Sequence, residues 1–233
     1  MATTSSRQEI TKGSLLYENP LANASDVADW IAEGEPVMSF PQGCLRLENG
    51  MDPAAGQAAN YLFWCPQVFP ADIAVSWTFK PIREPGLAMF WLSAAGRNGE
   101  DLFDPSLARR TGEYRQYHSG DINAYHASYF RRKNPDERRF HTCNLRKSHG
   151  FHLVCLGPDP IPSVPDVTEP YRIEVVKRGP RIRFLVDDLL IYDWTDDGSS
   201  YGPVLGEGRI GFRQMAPLIA EYADLRVHAV EAG

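Results

Sequence analysis

The sequence predicts an all-β protein, a β-sandwich or jelly roll of two antiparallel sheets. Short runs of alternating polar and apolar residues, rich in β-branched and aromatic side chains, recur at regular spacing. Eighteen prolines and nineteen glycines interrupt these runs and leave few windows for a long helix. Many short strands separated by turn residues are typical of this fold class.

Alternation within short windows predicts the individual strands. The clearest windows are Ile73–Phe79, Arg172–Val176, Arg181–Val186, Leu189–Trp194, Arg209–Phe212 and Ala223–Val230. Asp187 and Asp188 predict a tight turn, because aspartate tolerates the left-handed conformation that such a turn needs. The best helical window is Ser25–Ile31, with Ser25 or Asp26 as its N-cap.

The chain has 233 residues and shows neither an internal repeat nor a change of composition typical of a linker. We therefore expect a single domain over residues 1–233, with residues 1–14 flexible or loosely attached. The five prolines of Gly157–Pro170 indicate a rigid surface loop and not a domain boundary.

Composition excludes several classes of partner. The formal net charge of −6 argues against a nucleic-acid or membrane partner, and no apolar run approaches the ~18 residues of a membrane span. The four cysteines form no C-x-x-C pair and are expected to be free thiols, although one disulfide stays open. With no apolar signal region in Met1–Thr11, we expect a cytoplasmic protein. A homodimer is left open.

The window Thr111–His152 differs from the rest of the chain. It has a formal charge of +4, which leaves −10 for all other residues. It contains five of the six histidines, namely His118, His126, His141, His149 and His152. Its tyrosines are Tyr114, Tyr117, Tyr125 and Tyr129, whose rings are suited to stacking on sugars. A basic, aromatic patch on an acidic protein should concentrate anionic ligands.

Strand alternation divides the middle of this window into two faces. One face has Asn123, Tyr125, Ala127, Tyr129 and Arg131, and is predicted to line a groove. The other has Ile122, Ala124, His126, Ser128 and Phe130, and is predicted to face the core. His126 is then either a catalytic group at the core boundary or a hydrogen-bonded buried histidine. A bulge would reverse the assignment beyond it.

The segment before this strand is also expected to be extended. One face would present Glu113, Arg115 and Tyr117, the other would present Tyr114, Gln116 and His118, and the choice between the two faces is open. Trp91 is a further candidate for stacking on a sugar, with core packing as its alternative.

Longer segments resemble known proteins. YRIEVVKRGPRIRFLVDDLLIYDW and GEGRIGFRQMAPLIAEYADLRVHAV resemble the late hairpins and last strand of concanavalin-A-like or laminin-G-like jelly rolls. GEYRQYHSGDINAYHASYFRR, followed by FHTCNLRKSHGFHLV, resembles the YesU-like family of bacterial jelly-roll proteins. The resemblance runs from about Leu15 to Val230. It implies a concanavalin-A-like or laminin-G-like jelly roll and an association with pectin or rhamnogalacturonan utilisation, without a settled activity.

The reaction class is narrowed by the residues present. The sequence lacks the E-x-D-x-x-E pattern that many concanavalin-like glycosidases use for double displacement. Within the patch only Glu113 is a carboxylate in a convincing strand position. Tyrosine, histidine, arginine and asparagine suit β-elimination from a uronate, which needs a neutralised carboxylate, a base and a proton donor. The alternatives are a non-catalytic carbohydrate-binding or accessory protein, or a glycoside hydrolase with unusual acid and base groups.

Roles follow for the lyase hypothesis. His126 with Tyr129, or His118 with Tyr125, would transfer protons, while Arg115 and Arg131 would hold the acidic oligosaccharide. The wider binding set is Asn123, Tyr117, His141, Asn144, Trp91 and Glu113. Nearby arginines are expected to lower the pKa of a catalytic tyrosine. No cofactor is required, and a structural calcium ion is left open without a location.

Overall fold

The computed structural model describes residues 11–134 and 141–231. Within these ranges, fifteen strands form two antiparallel sheets that pack face to face, which confirms the predicted fold class. The eight-stranded sheet has the order β13-β12-β11-β6-β15-β4-β3, with β1 also paired to β15. The seven-stranded sheet has the order β10-β9-β8-β7-β14-β5-β2.

The bounds of the strands show how the chain alternates between the sheets. The eight-stranded sheet contains β1 (Lys12–Asn19), β3 (Pro36–Ser39), β4 (Leu45–Asn49), β6 (Ile73–Arg83), β11 (Tyr171–Arg178), β12 (Arg181–Val186), β13 (Leu189–Thr195) and β15 (Ile219–Val230). The seven-stranded sheet contains β2 (Ile31–Glu33), β5 (Tyr61–Phe69), β7 (Leu87–Gly96), β8 (Ile122–Tyr129), β9 (Thr142–Ser148), β10 (His152–Pro158) and β14 (Gly208–Met215). The single α-helix of the described residues is α1 (Tyr114–His118).

Local sequence signals placed the hairpins correctly. Strand β12 has the predicted bounds, and β11 and β13 extend the predicted windows by one to three residues. Asp187 and Asp188 form the turn between β12 and β13 with φ of 46° and 65°, in the left-handed region. The Asp187 carboxylate also accepts from the Arg172 amide at 2.7 Å, which closes the hairpin against β11.

The predicted helix at Ser25–Ile31 is wrong. The chain forms a 3₁₀ turn over Ala24–Val27, and β2 begins at Ile31. Its N-cap is Asn23, whose side chain accepts from the Ser25 amide. The helix ends early because Trp30 turns into the core and packs its indole on Phe63 at 5.0 Å.

An aromatic core fills the space between the sheets. Trp77 stacks on Phe90 at 4.4 Å and meets Phe212 edge-on at 5.5 Å, which ties β6 of one sheet to β7 and β14 of the other. Each such buried ring contributes a few kcal/mol of apolar burial. The core is therefore large enough to hold the sheets together without disulfide bonds. All four cysteines are free thiols, as predicted.

The chain ends and the loops are described in part. Residues 1–10 lie outside the described residues, and Lys12–Ser14, predicted to be loosely attached, belong instead to β1, which pairs with β15. The window predicted as a rigid loop, residues 157–170, begins inside β10 and includes a 3₁₀ turn at Val164–Asp166. Among the described residues, no helix has the length and apolar composition needed to cross a bilayer.

Candidate functional site: a roofed, arginine-rich sheet face

The seven-stranded sheet turns one face to the core and the other, its outer face, away from it. Cross-strand pairing aligns Trp91 with His126, and His126 with Arg146, across β7, β8 and β9. One step along, Met89 pairs with Arg213 of β14 and with Ser128, which pairs with Asn144. Side chains two apart on a strand share a face, so the outer face collects a compact polar group. The outer-face cluster is defined as Trp91, His126, Asn144, Arg146 and Arg213.

The long connection between β7 and β8, residues 97–121, covers this cluster and is called the roof. From α1, Tyr114 lies edge-on to Trp91 at 6.3 Å and to His126 at 5.7 Å. The Gly112 carbonyl accepts from Arg213 Nη1 at 2.7 Å. Gly112 has φ of 100°, and a Cβ there would lie 2.1 Å from the Asn60 carbonyl oxygen. Only glycine lets the roof approach the sheet this closely.

The segment predicted as an extended strand forms α1 instead. Helical spacing puts Tyr114, Tyr117 and His118 on one side, where Tyr117 packs on Trp91 at 5.7 Å. Glu113 and Arg115 are exposed, so the predicted shared face of Glu113, Arg115 and Tyr117 is wrong. The segment is helical because side chains three and four residues apart lie on the same side of a helix. This arrangement lets the aromatic rings pack on the sheet together.

The predicted faces of β8 are reversed. Tyr125 and Tyr129 are fully buried between the sheets, and His126 faces outward. Tyr125 donates to Asp196 Oδ2 at 2.5 Å, and the Tyr129 hydroxyl accepts from Trp77 Nε1 at 3.3 Å. Both tyrosines therefore serve the core, and neither reaches a groove. The polar character of Asn123, Tyr125 and Tyr129 indicated the wrong face. The roof buries the outer face as well, so both faces of β8 are enclosed and polarity does not distinguish them.

The reversal that the sequence left open occurs just after β8. Phe130 has φ of 47°, and it joins Tyr129 in the core cluster. Arg131 follows, half-buried, and its Nη1 donates to Thr142 Oγ1 at 2.9 Å. The positive charge of Arg131 acts to lower the pKa of Tyr114 and of Arg146. Arg131 therefore adds to the positive charge around the outer-face cluster.

Burial decides the titration of the two groups at the centre of the site. It raises the pKa of Tyr114 to about 12, against the opposing effects of Arg146, Arg213 and Arg131. Nearby arginines do act to lower this pKa, as expected, but desolvation of the phenolate outweighs them, so the net shift is upward. Burial, with Arg146 and Arg213 next, lowers the pKa of His126 well below 6.5. At neutral pH the site therefore presents a neutral imidazole and a protonated phenol.

Several buried polar atoms of the cluster have no hydrogen-bond partner. They are Arg213 Nε and Nη2, His126 Nδ1, Trp91 Nε1 and Asn144 Oδ1. His126 also stacks on Trp91 with ring centroids 4.1 Å apart, and its Nε2 lies 3.4 Å from Ser148 Oγ. Buried donors and acceptors are normally paired, so such a concentration on one sheet face indicates a place for a polar ligand.

A neighbouring carboxylate does not neutralise this group. Glu33 acts on the pKa of Arg213, but its Oε1 lies 2.8 Å from Arg110 Nη2. Its Oε2 accepts from Trp64 Nε1 at 2.8 Å. The Glu33 charge is thus shared with Arg110, and the outer-face cluster keeps a local excess of positive charge.

The other predicted site residues are dispersed around the cluster. His118, at the end of α1, is half-exposed and contacts Tyr114 at 4.8 Å. Asn123 lies at the start of β8, where its Oδ1 accepts from the His149 amide at 3.1 Å. His141 is half-buried, and its carbonyl accepts from the Asp159 amide at 2.6 Å. Asp136, Glu137, Arg138 and Arg139, counted in the basic window, lie outside the described residues.

Sequence reasoning missed the most buried cation of the site. Arg213 has no exposed surface, and its guanidinium lies 5.2 Å from the Tyr114 ring and 5.3 Å from the Tyr117 ring. The available signal was an arginine directly after the predicted strand window Arg209–Phe212, far along the chain from the basic window. Within residues 11–134 and 141–231, no three His, Cys, Asp or Glu side chains are grouped to hold a metal.

His126 should make stability depend on pH. Its pKa is lowered only in the folded state, so below pH ~6.5 the unfolded chain takes up a proton that the folded chain resists. Stability should therefore fall as pH falls through this region, by at most ~1.4 kcal/mol per pH unit from this group. Urea unfolding should be measured at several pH values between about 7.5 and 5, the range in which histidine usually titrates. The free energy of unfolding should depend less on pH in His126→Phe than in the wild type. Parallel profiles would show that His126 takes up a proton as readily in the folded chain as in the unfolded chain, which would contradict the lowered pKa.

A family model described as a domain of unknown function, DUF1961, matches residues 14–227. The chain belongs to the DUF1961 family. It is 54% identical to the uncharacterized protein YesU of Bacillus subtilis over 217 residues, which cover 93% of this chain and 96% of that protein. The expected relation to YesU-like proteins is thereby confirmed.

Solved structures place the fold of this DUF1961 chain. It is similar to a B. subtilis protein of unknown function with a galectin-like fold, with a TM-score of 0.92, 52% identity and coverage of 96% of this chain and all of the other. It is also similar to carbohydrate-binding module CBM66 of B. subtilis, with a TM-score of 0.53, 12% identity and coverage of 86% and 95%. At that identity the second likeness shows the fold alone.

Proposed function

We propose that this protein binds an oligosaccharide that carries a carboxylate group, at the outer-face cluster. The observation that carries the proposal is Arg213, which is wholly buried with Nε and Nη2 unpartnered. A buried guanidinium without a counter-ion is costly, and a carboxylate matches its planar fork with two parallel hydrogen bonds. Binding of an acidic ligand would complete the site.

The neighbours of Arg213 favour a sugar acid over a simple anion. Trp91 Nε1 and His126 Nδ1 offer a donor and an acceptor for hydroxyl groups, and Asn144 Oδ1 offers a second acceptor. The rings of Tyr114, which is half-buried, and Phe151, which is 51% exposed, provide the apolar surface that the face of a pyranose covers. The fold shared with CBM66, a carbohydrate-binding module, supports the saccharide assignment.

The ligand would enter beside Phe151. Arg146 and Tyr114 are half-buried, and Phe151 is 51% exposed with the Arg146 guanidinium 3.8 Å from its ring. Tyr114 meets the same ring edge-on at 5.6 Å. This border of the cluster reaches solvent, whereas Arg213 and His126 lie deeper under the roof.

Calorimetric titration with oligogalacturonates and with their uncharged methyl esters tests the proposal. We expect binding of the acid in the micromolar to millimolar range, weakened by salt, and at least about tenfold weaker binding of the ester. Equal affinity for acid and ester, or no heat with either, would contradict it. Alginate and glucuronan oligosaccharides in the same series identify which uronate fits.

A second candidate function is β-elimination, favoured by the position of His126 beside Tyr114, with ring centroids 5.7 Å apart. The neutral His126 would take the C5 proton of a uronate whose carboxylate is held by Arg213. Electrons of the C–H bond form the C4–C5 double bond, the C4–O bond breaks, and Tyr114 protonates the leaving oxygen. The predicted partner Tyr129 is replaced by Tyr114, because Tyr129 lies in the core. Absorbance of an unsaturated uronide in the same mixtures separates a lyase from a binding protein.

A further inference from the structure

An open cavity lies at one end of the sandwich, where β7 ends and β8 begins. It has a volume of about 480 Å³, within the range of ligand sites, and runs between residues 93–102 and residues 204–208. It continues past Asn123 into a recess of about 290 Å³ beside His149, His152 and Tyr201. Arg97, Asn123 and Leu205 border both spaces, which together are called the end cleft.

The end cleft carries charges of both signs. Arg97 is exposed, and within the described chain its guanidinium makes no hydrogen bond or ion pair. Glu100, Asp101 and Glu207 line the same cavity, and the Asp101 carboxylate is paired with Arg209 at 2.8 Å. The Glu100 carboxylate is oriented by the Asn98 amide and by Asn98 Nδ2, each at 2.9 Å. A strong donor and two strong acceptors therefore border one cleft, in contrast to the arginine excess of the outer-face cluster.

The floor and the recess suit a ring-shaped polar ligand. Ala94, Ala95 and Gly96 of β7 line the cavity without bulky side chains, and a Cβ at Gly208 would lie 2.5 Å from the Ser93 carbonyl carbon. In the recess, Tyr201 is 43% exposed and stacks on His152 at 4.3 Å, which presents an aromatic face to the solvent. Aromatic faces of this kind bind the apolar side of a sugar ring.

A buried network holds one wall of the cleft in place. Lys147 Nζ lies 2.7 Å from Asp196 Oδ2 and donates to the Gly202 carbonyl at 2.8 Å. The Tyr125 hydroxyl donates to the same Asp196 oxygen and accepts from the Leu205 amide at 3.0 Å. These contacts fix residues 196–205 against β8 and β9, so the cleft is preformed and a ligand has little ordering to impose.

We propose that the end cleft is a second saccharide site, which binds an uncharged sugar residue. Sugar hydroxyls both donate and accept, so they pair with a guanidinium and with carboxylates at the same time. An anionic ligand would meet Glu100 and Glu207, and a cationic one would meet Arg97, so mixed charge selects against both. The site stands apart from the proposed acidic-ligand function, because it shares no residue with the outer-face cluster.

Titration of the ¹⁵N-labelled protein with neutral methyl glycosides (galactoside, rhamnoside, glucoside and xyloside) tests the proposal by NMR. At least one should shift the backbone amides of Gly96, Gly206 and Gly208. Arg97→Gln and Glu207→Gln should each weaken that binding by about tenfold. Arg109→Gln, which removes another exposed arginine outside the cleft, should leave it unchanged.

The outcomes separate this site from the acidic-ligand site. Arg213→Met should leave the neutral glycoside titration unchanged, whatever its effect on oligogalacturonates. Absence of cleft shifts up to about 100 mM of every glycoside, well beyond a millimolar dissociation constant, would overturn the proposal. Shifts that map only to the outer-face cluster, or unchanged affinity in both Arg97→Gln and Glu207→Gln, would overturn it as well.

Discussion

Arg213→Met is expected to weaken the binding of acidic oligosaccharides strongly and to leave the fold at least as stable as the wild type. The guanidinium is buried with two unpartnered nitrogens, and burial lowers its pKa. Replacing a poorly compensated buried charge by an apolar side chain of similar length is often neutral or stabilising by ~1–4 kcal/mol. Removing the group that binds the carboxylate should weaken acid binding by about 100-fold.

Calorimetry and urea unfolding of the same protein samples measure both effects. Arg46→Met is the matched control, because it removes an arginine from the other sheet, where Arg46 pairs with Glu221 at 2.6 Å. That variant should keep full acid binding. If Arg213→Met instead loses more than ~3 kcal/mol of stability, then Arg213 acts mainly as the donor that holds the Gly112 carbonyl and the roof.

Asp159→Ala is expected to cause the largest loss of stability, about 3–5 kcal/mol. Arg132 Nη1 lies 2.9 Å from Asp159 Oδ2, and neither side chain has exposed surface. Arg132 Nη2 also donates to the Ile161 carbonyl at 2.7 Å, and the Ile161 amide donates to Asp159 Oδ1 at 3.1 Å. Losing one partner leaves the other charge buried and unpaired, which costs far more than the pair itself contributes.

Urea unfolding of two further variants shows whether burial is the cause. Glu18→Ala breaks the ion pair between Glu18 and Arg226, in which the side chains are 50% and 52% exposed. It should lower the free energy of unfolding by at most ~1 kcal/mol. The double variant Arg132→Met with Asp159→Leu should recover much of the loss, because it removes both buried charges. A loss below ~1 kcal/mol in Asp159→Ala would show that water reaches this pair.

The hairpin from β11 to β13 could be predicted because its determinants are local. Alternation in Arg181–Val186 and the tolerance of Asp187 and Asp188 for a left-handed turn act between neighbours in the chain. The prediction of two sheets followed from the repetition of such strands and turns along the chain. The basic, aromatic composition of Thr111–His152 likewise pointed to the neighbourhood of the outer-face cluster, which holds His126, Asn144 and Arg146 from that window.

The composition of the site itself depends on contacts between distant segments. Tyr114 lies on His126 only because Gly112 brings the roof against Asn60, and Arg213 arrives from a strand near the end of the chain. These contacts also explain the wrong assignment of Tyr125 and Tyr129. A strand covered on both faces loses the polar and apolar contrast on which a face assignment depends.

The amino-acid sequence by itself therefore determined the fold class, the hairpins and the part of the chain that supplies most of the candidate site, since each depends on periodicity, turn residues or composition. Only the tertiary structure decided which side chains share the site. In the candidate site, Tyr114 takes the place predicted for Tyr129, and Arg213 is a member that the sequence did not predict. Asn123, predicted to belong to the site, lies in the end cleft. The physical reason is that burial and unpaired charge arise from the packing of segments far apart in sequence, and no local pattern records that packing.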